Sequence, residues 1–130
     1  MTARGKIVYT FPPLKRTVEQ FGAPVVSVIA STPTEWPHLV AVLTTTGGTV
    51  LSEGGTLTPF GKKSKGVKFS LISDANLLKR GTRLQLTFGA TSTVQNIANL
   101  LYLKTVPDDA RLKIGFISLR VPVLPKPISR

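Results

Sequence analysis

The sequence predicts an all-β sandwich, on three observations. Short apolar runs alternate with polar residues, Gly and Pro punctuate them at close intervals, and 42% of the 130 residues are hydrophobic, enough for one core. One domain spanning 1–130 is the expectation, with 1–6 and 122–130 as extended arms.

In chain order, Ile7, Tyr9 and Phe11 recur at every second position, the spacing that places side chains on one face of a strand. Val25 to Ala30 and Leu39 to Leu43 are continuous apolar runs rich in β-branched residues, which predicts strands buried on both faces. Val67, Phe69 and Leu71 alternate with Lys68 and Ser70, and Leu84, Leu86 and Phe88 alternate with Gln85 and Thr87. Turn residues separate the runs at Pro12-Pro13, Gly22 to Pro24, Pro33 to Pro37, Gly47-Gly48, Gly54-Gly55, Gly61, Gly81 and Pro107 to Asp109.

Near the end, apolar residues hold even positions (Leu112, Ile114, Phe116) and then odd ones (Ile117, Leu119, Val121, Val123). One regular strand cannot change face, so a β-bulge is predicted near Gly115. Val94, Ile97, Ala98 and Leu101 have helical spacing behind Ser92 and Thr93, which predicts one short helix near 93–101. The tail from Pro122 carries three prolines in nine residues and reads as extended.

Seventeen Lys and Arg against six Asp and Glu give a net charge of +11. Such a balance raises nucleic acid, anionic membrane and acidic protein as partners. The basic residues are spread from Arg4 to Arg130, with one dense group at Lys62, Lys63, Lys65 and Lys68, so a solvated basic surface is favoured over a phosphate-binding stripe. With no cysteine, disulfides, thiolate metal sites and cysteine nucleophiles are excluded. No apolar run is long enough to span a bilayer, and Met1 to Lys15 lacks a signal peptide's apolar middle, so a cytoplasmic location without membrane contact is the expectation.

Chemistry by a serine nucleophile needs a base, and His38 is the only histidine. It follows Trp36-Pro37 at a turn entering an apolar strand, a structural setting. Gly-x-Ser-x-Gly does not occur, and the glycine spacings 55–61 and 61–66 both miss the Walker pattern. Glu19, Glu35, Glu53, Asp74, Asp108 and Asp109 are dispersed and form no acid pair or metal motif. No catalytic, metal or cofactor residue is nominated. Trp36, His38, Arg83 and Tyr102 are the candidate ligand or interface contacts: Trp36 and Tyr102 as aromatics outside the alternating pattern, Arg83 on the solvent face of its strand.

Four segments together resemble the C-terminal non-catalytic domain of the X-Pro dipeptidyl-peptidase and cocaine-esterase family of serine hydrolases. They are Tyr9-Thr10-Phe11-Pro12-Pro13-Leu14 with Gly22-Ala23-Pro24; Trp36 to Leu43 with Glu53-Gly54-Gly55; Leu77-Leu78-Lys79-Arg80-Gly81-Thr82-Arg83-Leu84-Gln85-Leu86; and Ser118-Leu119-Arg120-Val121-Pro122-Val123-Leu124-Pro125. Thr82 stands where the family commonly has His. The resemblance implies a jelly-roll, galactose-binding-like sandwich that packs on an α/β-hydrolase domain, shapes its active-site entrance or assembly, and contains none of the Ser, Asp and His triad. It leaves homo-oligomers open. The alternative is a free-standing basic module that binds glycans or nucleic acid.

Overall fold

The computed structural model describes residues 2–4, 6–31, 38–57, 65–89 and 111–124. They form ten strands: β1 (Thr2–Arg4), β2 (Lys6–Thr10), β3 (Val18–Gly22), β4 (Val25–Ser31), β5 (His38–Thr45), β6 (Val50–Leu57), β7 (Lys65–Ser70), β8 (Asp74–Leu78), β9 (Leu84–Gly89) and β10 (Arg111–Arg120). The helix expected near 93–101 lies outside the described residues.

Two antiparallel sheets have the strand orders β1-β10-β4-β7 and β2-β9-β5-β6, and β3 and β8 form a separate two-stranded ribbon. Apart from the β5–β6 hairpin, successive strands of the sheets cross from one sheet to the other. With the ribbon set aside, eight strands in this order make a jelly-roll sandwich.

The core lies between the sheets. Val26, Val28 and Ala30 of β4, Phe69 of β7 and Ile114 of β10 meet Leu39, Ala41 and Leu43 of β5 and Leu84, Leu86 and Phe88 of β9. The alternation read in β7 and β9 is therefore the core-facing row. At about 25 cal/mol per Å² of buried apolar surface, these side chains supply most of the drive to fold.

The two continuous apolar runs part company. In β5, Leu39, Val40, Ala41, Val42 and Leu43 are all buried, as expected. In β4 only alternate residues are buried, and Ile29 keeps 39% of its surface exposed, so the expectation of burial on both faces fails there.

The bulge falls where the parity slip puts it. Gly115 pairs with Ile29 and Ser118 with Ser27, so Phe116 and Ile117 together oppose Val28. Ile117 and Leu119 then pack on the core. Phe116, expected in the core row with Ile114, instead takes a φ of 53° and points outward with 85% of its surface exposed. The extra residue turns the strand by one position at Phe116 rather than after it.

Neither end of the described chain is a free arm. Thr2–Arg4 pairs with Arg111–Lys113, and Lys6 opens β2 opposite Gly89. At the other end the Phe21 amide donates to the Pro122 carbonyl at 3.1 Å, and the Leu124 amide to Glu19 at 2.9 Å. Extended chain presents unpaired amides and carbonyls, and a neighbouring strand edge satisfies them.

Candidate interaction surfaces

Three of the segments that carry the family resemblance converge in space. The Phe11 amide donates to the Leu84 carbonyl at 2.9 Å, Leu14 to Thr82 at 2.9 Å, and Gly81 back to Leu14 at 2.9 Å. The Arg80 amide donates to Thr17 Oγ1 at 3.0 Å. Gly81 makes the turn into β9 at a φ of 90°, a left-handed conformation that costs a side-chain-bearing residue energy. Phe11, Leu14, Leu78, Leu84, Leu119 and Val121, from those three segments, line an apolar hollow of about 290 Å³ beneath the ribbon.

The ribbon presents a second surface. Glu19 pairs with Leu77 and Phe21 with Ala75, while the intervening residue Gln20 is buried. On the buried side Val18 and Leu78 join the core, and the polar pair beside them is internally matched: Asn76 Nδ2 donates to Gln20 Oε1 at 3.0 Å, and Gln20 Nε2 donates to the Gly22 carbonyl at 3.4 Å. The other side is apolar and open, with Phe21 67% and Leu77 55% exposed; both border a cavity shared with Ala75 and Leu124. Large apolar residues grouped on an open face are the usual mark of a contact surface.

Arg83 is exposed, and its Nε donates to the Phe11 carbonyl at 3.0 Å, while its own carbonyl accepts from the Thr46 amide at 3.1 Å. It ties the strand before Pro12-Pro13 to the start of β9. His38 opens β5 opposite Leu57. Trp36 and Tyr102 lie outside the described residues.

Two polar side chains are committed to the fold. Ser52 is buried and its hydroxyl donates to the Ile72 carbonyl. Asp74 Oδ1 accepts from the Ala75 amide at 2.8 Å. Among the described residues no three His, Cys, Asp or Glu gather as metal ligands, and no helix is long and apolar enough to cross a membrane.

No family model and no curated protein matches the sequence. Solved structures do. An α-amino acid ester hydrolase labelled with selenomethionine superposes with a TM-score of 0.66 at 18% identity, over 92% of this chain and 25% of the hydrolase. An aminopeptidase from the marine sediment archaeon Thaumarchaeota archaeon gives 0.65 at 15% identity, over 92% and 26%. A CocE/NonD family hydrolase from Staphylococcus aureus gives 0.62 at 11% identity, over 92% and 30%. The fold of this chain is thus one that recurs as a part of larger hydrolases, and the chain spans between a quarter and a third of their length.

Proposed function

We propose that this chain is a single, non-catalytic accessory domain of an X-Pro dipeptidyl-peptidase-like serine hydrolase, corresponding to the C-terminal domain of that family. It packs on an α/β-hydrolase domain and shapes that domain's active-site entrance or assembly. The observation that carries the reading is the convergence of three family-like segments on one apolar hollow within a jelly roll whose fold recurs in three hydrolases.

The open ribbon face is the contact we assign to the hydrolase domain. Phe21, Ala75 and Leu77 offer apolar surface that needs a cover, and Glu19 borders it. A serine hydrolase must hold nucleophile, base and acid within hydrogen-bond reach, and losing one member costs several orders of magnitude in rate. With His38 as the only histidine and neither a nucleophile elbow nor a Ser-x-x-Lys pair in the sequence, no such site is nominated.

The test has two arms on the same purified protein. Alone, the chain is expected to turn over neither aryl esters nor X-Pro dipeptide substrates above background. Inhibitor-sensitive turnover that disappears in His38→Ala would overturn this. Co-expressed with an α/β-hydrolase domain encoded beside it, the chain is expected to co-elute with that domain, and Phe21→Ser with Leu77→Ser is expected to separate the two. If no such domain is encoded upstream or nearby, the accessory reading fails.

A further inference from the structure

Charge is not shared evenly among the three sheets. The β1-β10-β4-β7 sheet carries Arg4, Lys65, Lys68, Arg111, Lys113 and Arg120 and no acid. The β2-β9-β5-β6 sheet has Lys6 against Glu53, and the ribbon has Glu19 and Asp74 with no Lys or Arg. Basic residues dispersed along the chain are thus collected on one sheet by topology.

The outward rows of this sheet contain features that internal packing does not require. Ile29 is flanked on both sides by glycine, Gly115 on β10 and Gly66 on β7. A Cβ at either glycine would meet nothing within 4 Å, and neither has a positive φ. Crowding and a positive φ are absent at both, so nothing in the packing requires glycine at Gly66, while Gly115 borders the bulge. The left-handed position of the bulge is one residue further on and is held by Phe116. A bulky residue there is strained, and Phe116 gains little burial in return, being 85% exposed. The next row across the sheet is Lys68, Ser27 and Ser118, followed by Ser70, Val25 and Arg120. A hollow of about 290 Å³ lies among Ser27, Ile29, Gly66, Lys68 and Phe116.

We propose that this outer face binds single-stranded nucleic acid, with a base in the hollow against Phe116 and phosphates on Lys68 and Arg120. The partner is identified by three matched parts. A base has a flat π-face for the aromatic ring and lies flush only where neighbours lack side chains, which Gly66 and Gly115 provide. Backbone phosphates pair with a sheet that has no acid to repel them, and serine hydroxyls supply neutral donors. An anionic bilayer would take the exposed ring and the charges but has no use for the clearing on either side of Ile29. An acidic protein would use the charges and leave the glycine clearing without purpose. The site is distinct from the ribbon face and stands independently of the hydrolase reading.

The experiment is fluorescence anisotropy of a labelled oligothymidylate of about 16 nucleotides, titrated with the full chain at about 50 and 200 mM salt. Contact with two phosphates of a single strand predicts affinity about sevenfold lower at the higher salt. Phe116→Gly suits the left-handed backbone, and Gly66→Val extends into the hollow from a Cβ that has nothing within 4 Å, so both are expected to fold. Both should bind about tenfold more weakly than the parent, with melting temperatures at or above the parent value. Vesicles of phosphatidylserine and polyglutamate serve as competitors and should displace the oligonucleotide poorly. The proposal is overturned by absence of binding at low salt or by equal binding of both variants. It is also overturned if vesicles or polyglutamate bind with the same dependence on Phe116, which would reassign the face to that class.

Discussion

The central strands β4 and β5 begin from nearly the same kind of sequence, Val-Val-Ser-Val-Ile-Ala and Leu-Val-Ala-Val-Leu, and reach different environments. Both send alternate residues into one core. On the opposite side, Val40 and Val42 of β5 are buried, whereas Ile29 of β4 stays open and Val25 and Ser27 are half-buried. An apolar run therefore fixes that a strand is central, while the cover on its second face is decided by the rest of the chain. The uncovered face is the one with an all-basic sheet, clear glycines and a strained Phe, and such departures from local rules concentrate where a surface has work beyond folding.

Truncations should expose this asymmetry most strongly. Phe88→Ala removes a fully buried ring from between the sheets and is expected to cost about 4 kcal/mol, lowering the melting temperature by roughly 15 °C. Ile29→Ala, on the open side of the other sheet, should cost under about 1 kcal/mol. Chemical denaturation of both variants checks the pair. Comparable losses would mean that the outer face of β4 is structural.

Glycine substitutions sharpen the contrast on a smaller scale. A Cβ at Gly54 in β6 would lie 2.8 Å from the Ser70 carbonyl oxygen and 3.0 Å from Leu71 Cα, so Gly54→Ala forces the backbone apart and should cost about 1–3 kcal/mol. Gly66→Ala meets open space, restricts the unfolded chain and should be neutral or stabilising by up to about 1 kcal/mol. Thermal melts of the two single variants decide it, and a loss at Gly66 as large as at Gly54 would remove the case for a cleared surface.

What the sequence disclosed depended on whether the signal was local. The row Leu84, Leu86, Phe88 and the parity slip between Phe116 and Ile117 are legible over a few residues, and they translate into a core face and a bulge. The ribbon was not legible. Each of its strands has five residues, one holds a buried Gln20, and the partner that satisfies this amide, Asn76, is 56 residues away. The basic sheet was hidden for the same reason: Lys68 and Arg120 are remote in sequence and reach nearby rows only through the jelly-roll strand order. Arg83 was legible as a solvent-side residue but not as the clamp on Phe11, since nothing in one strand announces a carbonyl 72 residues away.

Phe116 gives the smallest expected change in stability and the closest test of which region serves folding. A left-handed φ costs an ordinary residue about 1–2 kcal/mol, whereas glycine takes it freely but loses about 0.5–1 kcal/mol more in ordering the chain. The exposed ring adds little burial to set against this. Phe116→Gly should therefore melt within a few degrees of the parent or slightly above it, despite the loss of an entire aromatic side chain. Phe116→Asn, which tolerates the same backbone without glycine's entropy, should be at least as stable as the glycine variant. A loss above about 1 kcal/mol in both variants would show that the ring holds the bulge in place through contacts of its own. The outer face of β4 would then belong to the fold, like that of β5, and the difference between the two strands would be one of degree.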